Sequence, residues 1–185
     1  MKKMKIAMLT TLLAASPLAL ADLSYTNFGV GYVDGDYGNA DIDGLELRGS
    51  FAINSSIHLQ ASYDALDISP GNGDFDVLAF GGGWHTLLAE ELDFVATASI
   101  LDVDAGIFDG DGIRLTGGLR GKISRELEFG AHLIYEDIND IPNVGDDTGY
   151  ELEGRYFFNR NNSVGLTLRD VNKVDTFRID VRFDF

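Results

Sequence analysis

The stretch Phe177-Arg178-Ile179-Asp180-Val181-Arg182-Phe183-Asp184-Phe185 closes the sequence, with apolar residues at every odd position and charged residues at every even one. Because a β-strand turns successive side chains to opposite faces, this stretch would have one apolar face and one charged face. Eight steps of ~3.3 Å, tilted in a barrel wall, give about 20 Å of height, close to the ~25 Å apolar band of an outer-membrane barrel. The stretch therefore predicts either a strand between a core and water in a soluble protein or a barrel strand between lipid and a polar lumen.

The first residues have the features of a secretory leader. Lys2, Lys3 and Lys5 precede a mostly apolar run over 6–18, and Ala19-Leu20-Ala21 is a small-residue cleavage signal. The apolar run is shorter than the ~20 residues that a membrane-spanning helix needs. We therefore expect a cleaved signal peptide over residues 1–21 and a single barrel domain over 22–185.

Composition excludes several classes of function. The 185 residues carry 14 Lys and Arg against 30 Asp and Glu, and loss of the three leader lysines leaves a net charge of −19. Nucleic acid is therefore not expected as a partner, because phosphate binding needs a basic surface. The absence of cysteine excludes disulfides, thiol catalysis and cysteine-ligated metals. A mean hydropathy near zero suits a barrel whose strands each have one polar face.

Ten alternating apolar runs, separated by turn residues, follow the leader. Their outward-facing sets contain no charged residue, as expected where an Arg or Lys facing lipid costs ~2–4 kcal/mol. We predict an all-β fold, a closed antiparallel up-and-down transmembrane β-barrel of ten strands, with eight as the alternative and both termini periplasmic. The first and fifth strands are the hardest to place, since Val95, Leu101 and Val103 give the fifth a second apolar face. The outward sets are Phe28, Val30, Tyr32; Leu45, Leu47, Gly49, Phe51, Ile53; Ile57, Leu59, Ala61, Tyr63; Leu78, Phe80, Gly82, Trp84; Leu92, Phe94, Ala96, Ala98, Ile100; Ile113, Leu115, Gly117, Leu119, Gly121, Ile123; Leu127, Phe129, Ala131, Leu133, Tyr135; Tyr150, Leu152, Gly154, Tyr156, Phe158; Val164, Leu166, Leu168; and the odd residues of the tail.

The connections alternate between short turns and longer acidic segments, which predicts periplasmic turns and acidic extracellular loops. The five longer segments and their edges hold 17 aspartates and one base, Lys173. Asp109 and Asp111 are the best candidates for a Ca²⁺ or Mg²⁺ site. They lack the spacing of an EF-hand, so we predict no metal site and expect solvated, mutually repelling loops. A weaker hypothesis is that divalent cations bridge these loops to lipopolysaccharide phosphates.

The inward positions predict a charged lumen. A salt-bridged polar core is one interpretation, because a charge in a narrow lumen needs a partner. A selective pore is the other, because a ten-stranded barrel is slightly wider than the eight-stranded kind that side chains fill. The predicted lumen charge network is Glu46, Arg48, Arg114, Arg120, Lys122, Glu128, Glu151, Glu153, Arg155, Arg169, Arg178, Asp180, Arg182 and Asp184.

Aromatic residues cluster near the predicted strand ends. Amphipathic rings favour the membrane interface, although strand propensity alone would also enrich aromatics. The predicted interface aromatics are Tyr63, Trp84, Tyr135, Phe158 and Phe183, with Tyr25, Tyr150 and Phe185 as further members. The outward residues of the last strand, Phe177, Ile179, Val181, Phe183 and Phe185, are the predicted signal for the barrel-assembly machinery.

The sequence offers no catalytic group. His58, His85 and His132 all fall on the inward phase, and none lies beside an evident nucleophile at the predicted outer rim. We therefore predict neither an enzyme nor a cofactor.

Several short segments resemble the small Ax-type outer-membrane β-barrels of proteobacteria, over most of the chain and in the same hairpin order. The matching segments are Ala21-Asp22-Leu23-Ser24-Tyr25, Gly31-Tyr32-Val33, Asp43-Gly44, Arg48-Gly49-Ser50, Ile57-His58-Leu59, Phe75-Asp76 and Tyr135-Glu136-Asp137. The chain departs from these relatives at Phe185, where they often finish on Trp. The resemblance implies an outer-membrane β-barrel and brings no catalytic residues.

Together these patterns predict an integral protein of the bacterial outer membrane with a charged lumen. Its role would be structural or surface-interacting, or a narrow porin-like passage for small solutes. Its partners would be outer-membrane lipid and lipopolysaccharide, with the barrel-assembly machinery during biogenesis. The alternative is a soluble periplasmic or secreted lipocalin-like barrel, which would bind an apolar ligand inside and turn its charges outward.

Overall fold

A computed structural model describes residues 23–38, 40–70, 73–106, 108–141 and 145–185, so the predicted signal peptide lies outside the described residues. Ten antiparallel strands pair with their neighbours in sequence, and the first pairs with the last to close a barrel. The predicted closed antiparallel up-and-down barrel is confirmed, with ten strands and not eight. No described helix is long and apolar enough to cross a membrane. The strands are β1 (Asn27–Tyr37), β2 (Ala40–Ala52), β3 (Ile57–Ser69), β4 (Gly73–Ala89), β5 (Leu92–Ala105), β6 (Phe108–Lys122), β7 (Leu127–Ile138), β8 (Asp146–Phe157), β9 (Asn162–Val171) and β10 (Val174–Asp184).

The alternation in β10 is realised in the barrel wall. Its odd residues Phe177 to Phe183 are 42–45% exposed on the outside, whereas its even residues Arg178 to Asp184 are 2–8% exposed inside. The same sorting places Val95, Leu101 and Val103 of β5 in the interior and leaves Ile100 66% exposed. The structure therefore shows which of the two apolar faces of β5 points into the barrel.

The barrel has two unlike ends. We call the end that holds Asn27 and Asp184 the terminal end, and the opposite end, where β1 turns into β2, the distal end. At the distal end the strands continue through the segments that were predicted to be loops. Of the 17 predicted loop aspartates, all of them described, Asp140 alone lies in a connection. The prediction of acidic loops was therefore wrong in its location of the acids.

The physical reason is that apolar and polar residues still alternate there, but the apolar residues face inward and the polar ones face outward. Asp and Gly are disfavoured in strands, which made these segments look like loops. Yet Asp34 and Asp43 point outward from the distal wall, while their strand neighbours Val33 and Ile42 are buried inside it. The distal part of the barrel thus has acids outside and apolar residues inside, the reverse of the part nearer the terminal end.

Two apolar clusters line the distal interior. Val77, Leu101, Val103 and Ile138 belong to one, which also receives Ile141 from the connection after β7. Val33, Ile42 and Leu66 form the other. Very short distal connections are possible because their residues adopt positive φ, as Asn172 and Lys173 do at 55° and 64°. Such residues form the tight turns that match the twist of paired strands.

Candidate functional site: the barrel lumen

The terminal layer of the lumen is centred on Glu128. Arg182 donates to Glu128 from Nη1 at 3.0 Å, and Arg120 donates to it from Nε at 3.0 Å. The Nε of Arg182 also lies 3.1 Å from Oδ1 of Asp184. Because β6, β7 and β10 supply these side chains, the ion pairs join strands that are not all neighbours.

The central layer is centred on Asp180, which is 2% exposed. Arg155 donates from Nη2 to both carboxylate oxygens of Asp180, at 3.0 and 2.8 Å, and Arg48 donates to Oδ1 at 3.0 Å. Arg155 also reaches Glu153 at 2.8 Å and the hydroxyl of Ser163 at 3.2 Å. Buried charges in this layer are therefore paired and hydrogen-bonded, as a low-dielectric interior requires.

The distal layer is centred on Glu136. Arg114 and Arg169 both donate to its Oε1, and Asn172 donates from its side chain to Oε2 at 2.9 Å. Below this layer Arg178 donates to Glu46 at 2.8 Å and to the hydroxyl of Thr167 at 2.9 Å.

The structure brings all the predicted lumen charges inside the barrel, with Lys122 at the terminal end. The Nζ of Lys122 lies 5.4 Å from the ring centre of Phe157. Glu151 stands opposite Arg169 in the β8–β9 register and lines a cavity of the lumen. Glu136 was missing from the predicted network, although its inward phase was visible in the sequence.

A plug at the terminal end was not predicted. Tyr25, expected at the membrane interface, is instead 8% exposed inside the lumen, where its ring stacks on His85 at 3.6 Å between centroids and on His58 at 5.0 Å. Its hydroxyl donates to Asp93 at 2.8 Å, and the guanidinium of Arg120 lies 4.8 Å from its ring centre. No signal could have placed it, because Tyr25 precedes the first alternating run.

Burial raises the pKa of the Tyr25 phenol above its usual range, an effect that the charge of Arg120 partly opposes. The phenol therefore stays protonated at neutral pH and keeps its hydrogen bond to Asp93. Arg120 also donates to the backbone oxygen of Ser24 at 2.9 Å, which ties the segment before β1 to the lumen wall.

Two cavities lie along the lumen. The one toward the terminal end has a volume of about 230 Å³ and a mixed lining that includes Tyr25, Gln60 and His132. The distal one has a volume of about 370 Å³ and mainly apolar walls. Four charged side chains line both cavities and separate them: Glu46, Arg114, Arg169 and Arg178.

The histidines show no catalytic arrangement. His58 and His85 are buried at the terminal end, with their Nδ1 atoms 3.3 Å apart, and are occupied by contacts with Tyr25. His132 lines the terminal cavity. Within the described ranges, no group of three or more histidine, aspartate or glutamate side chains is arranged to hold a metal ion.

The distal exterior forms an acidic belt. Aspartates stand directly opposite one another across neighbouring strands, as Asp102 does with Asp111 and Asp104 with Asp109. The further facing pairs are Asp34–Asp43, Asp36–Asp41, Asp36–Asp175, Asp43–Asp67, Asp67–Asp74, Asp76–Asp104, Asp137–Asp146 and Asp170–Asp175. The candidate cation ligands Asp109 and Asp111 thus belong to a belt on strand faces.

Between the acidic belt and the terminal end, the exterior of the barrel is apolar, with aromatic side chains at both of its edges. Trp84, Phe158 and Phe183 are 45–63% exposed toward the terminal end. Toward the distal end, Tyr63 donates its hydroxyl to Asp76 at 3.0 Å, and Tyr32 donates to Asp43 at 2.9 Å. Tyr135, also on the outward phase, stands opposite Leu115 in the β6–β7 register. The aromatic rings therefore mark both limits of the apolar band.

These features define a closed ten-stranded barrel with an apolar outer band and a charged interior. No family model matches the chain, and no curated protein matches it, so the resemblance to Ax-type barrels stays a prediction. Among solved structures, the KdgM porin is similar at 11% identity and TM-score 0.49, over 85% of this chain and 99% of that one. The NanC porin is similar at 11% identity and TM-score 0.48, over 86% and 100%. A de novo designed transmembrane β-barrel is similar at 11% identity and TM-score 0.43, over 89% and 100%. At this identity the likeness concerns architecture and assigns no solute or residue role to this chain.

Proposed function

We propose that the chain is an integral β-barrel of the bacterial outer membrane that allows small solutes a narrow, plugged passage. The supporting observation is the exterior: Leu45, Phe80, Ile100 and Leu133 are 53–68% exposed there, on strands whose inward faces carry the charges. Monomeric soluble proteins rarely expose so continuous an apolar surface. A soluble lipocalin-like barrel is not favoured, because this band has its apolar side chains outside.

The proposed orientation places the terminal end in the periplasm and the acidic belt outside the cell. The apolar band would then lie in hydrocarbon, with Trp84 and Phe183 at one interface and Tyr63 at the other. The belt would lie at the level of lipopolysaccharide headgroups, whose phosphates could share divalent cations with it. The outward aromatics of β10, ending at Phe185, would be the segment that the barrel-assembly machinery recognises.

The passage would be narrow because ion pairs cross the lumen at three levels. Its tightest point would be at the terminal end, where the Tyr25 ring stacks on His85 and His58 inside the lumen. Small solutes would pass the terminal end when the segment that carries Tyr25 moves out of the lumen. No catalytic step is part of this proposal.

Two measurements test the proposal. The protein should co-sediment with outer membrane and migrate heat-dependently in SDS gels, whereas recovery in the soluble periplasm would contradict membrane insertion. In planar bilayers, Tyr25→Ala should increase single-channel conductance several-fold over wild type, because it removes the ring that fills the terminal opening.

The matched control is Tyr150→Ala, which removes an exposed tyrosine from the exterior of β8 and should leave conductance unchanged. Equal conductance of wild type and Tyr25→Ala, with both proteins folded, would contradict the plugged passage while leaving membrane insertion intact.

A further inference from the structure

The distal third of the barrel has the sorting of a soluble ligand-binding barrel. Its outer face carries the acidic belt, and its inner face is lined by aliphatic and aromatic side chains of β1, β2, β3 and β4. Val33, Ile42, Leu66, Phe75 and Val77 line its cavity of about 370 Å³. This third therefore forms an apolar cup above the charged lumen.

The empty volume in the cup is itself informative. Protein interiors are packed as densely as organic crystals and have few voids larger than a water molecule. Apolar cavities stay dry and accept apolar molecules, and small-molecule sites typically measure ~300–1,000 Å³ with mostly apolar walls and a few polar groups. The distal cavity, at about 370 Å³ with mainly apolar walls and a few polar groups, has the size and lining of such a site.

The polar groups lie at the end of the cup that is nearest the charged lumen, which we call its floor. Glu46 is 6% exposed and Arg178 is 8% exposed, and they pair with each other through Oε1 and Nη1. The second carboxylate oxygen of Glu46 has no hydrogen-bond partner, and the Nε of Arg178 has only Oδ1 of Asp180 at 3.8 Å, beyond hydrogen-bond distance, although both residues line the cavity. A buried polar atom without a partner is costly, so these two atoms define one unfilled acceptor and one unfilled donor.

The charge balance decides what kind of head group would fill them. Arg114, Arg169 and Arg178 line the cavity together with Glu46, Asp64 and Glu136, so the floor carries equal numbers of bases and acids. A charged head group would disturb that balance, and the acidic belt around the cup would also repel anions. A hydroxyl suits both unfilled atoms, because it can donate to a carboxylate and accept from a guanidinium.

We propose that the distal cup binds a small, uncharged amphipathic molecule, with its hydroxyl on Glu46 and Arg178 and its hydrocarbon body against the apolar walls. The site stands on the barrel interior alone and does not require that the lumen conducts. It also explains why the barrel continues beyond its apolar band with the opposite sorting of side chains.

The experiment is calorimetric titration of the full barrel in lipid nanodiscs, with empty nanodiscs subtracted. The probes are 1-hexanol, hexanoate and n-hexylammonium. We expect saturable binding of 1-hexanol and at least about tenfold weaker binding of both ions. Leu66→Trp should abolish hexanol binding by filling the cup, whereas Leu45→Trp, which adds the same ring on the outside of the neighbouring strand, should leave it unchanged.

Glu46→Gln tests the floor separately. It keeps the shape of the side chain but replaces the carboxylate with an amide, and should weaken hexanol binding about tenfold. The proposal is overturned if wild type binds no hexanol above the nanodisc background, if Leu66→Trp binds as wild type does, or if either ion binds as tightly as the alcohol. Heat-dependent gel migration of each variant shows that it is folded, and conductance is scored independently of these titrations.

Discussion

The centre of the lumen depends on one residue without a side chain. Gly165 faces inward on β9, and a Cβ there would lie 2.5 Å from Nη2 of Arg155 and 2.8 Å from Oδ1 of Asp180. Both groups are buried and held by several hydrogen bonds, so neither can move away freely. The guanidinium–carboxylate pair therefore occupies space that only glycine leaves free.

Gly165→Ala should lower the free energy of unfolding by ~1–3 kcal/mol, the usual cost of overpacking a well-packed interior. Gly154→Ala is the matched control, because Gly154 lies on the outer face of β8 and a Cβ there would meet nothing within 4 Å. Denaturant unfolding in lipid vesicles measures both. A control as destabilised as Gly165→Ala would mean that backbone effects, and not crowding of Arg155, set the cost.

Asp180 is the second residue on which the lumen depends. Arg48 and Arg155 both donate to it, and its side chain is 1% exposed. Asp180→Asn should destabilise the barrel by ~3–5 kcal/mol, because removing one partner of a buried network leaves charge uncompensated. Asp175→Asn changes the same residue type on the same strand, but outside the barrel, and should not destabilise. The two variants are compared by unfolding midpoint, and equal losses would contradict the assignment of Asp180 to a buried network.

At the scale of the element, β10 shows how much the sequence could predict. Its strict alternation assigned both faces, because a strand between lipid and a polar interior tolerates no charge on one side. The same logic fails for the distal ends of β1 to β10, because the composition there predicts loops and the structure has outward aspartates on strands. Position along the barrel axis, and not residue type, decides which face is wet, and one strand's sequence does not reveal where the apolar band stops.

The depth of the apolar band can be measured on single strands. Val181 of β10 stands opposite Val30 and Val164, in the middle of the band. Val181→Arg should cost ~2–4 kcal/mol of stability in lipid, whereas Phe158→Arg, at the terminal aromatic ring, should cost ~0–1 kcal/mol. Unfolding in vesicles gives both values. If Val181→Arg were tolerated as well as Phe158→Arg, the band would not lie in hydrocarbon at Val181.

At the scale of the whole molecule, the sequence predicted the closed barrel and most of the lumen charges but missed the plug and the cup. The barrel and the lumen follow from period-two patterns that repeat ten times. Tyr25 enters the lumen through a segment with no such pattern, held by Asp93 and Arg120 from other strands. The cup depends on where inward apolar residues from several strands meet at one height, which needs the strand register.

The acidic belt sets the electrostatics of the whole barrel. Like charges directly opposite each other on paired strands are destabilising, and this belt places aspartates opposite aspartates on most neighbouring strand pairs. Exposed charges are screened once the Debye length falls from ~30 Å at 0.01 M salt to ~3 Å at 1 M. The melting temperature in nanodiscs should therefore rise by several degrees as NaCl increases over this range.

The double variant Asp102→Asn, Asp111→Asn should raise the melting temperature at low salt and reduce its dependence on salt, because it removes one directly facing pair. Glu90→Gln is the matched control, since Glu90 is an exposed acid in the β4–β5 connection and not within a paired strand. A melting temperature indifferent to salt, or a control that stabilises as much as the double variant, would contradict repulsion within the belt. The facing aspartates would then not lower the stability of the barrel, and they would behave as ordinary solvated side chains.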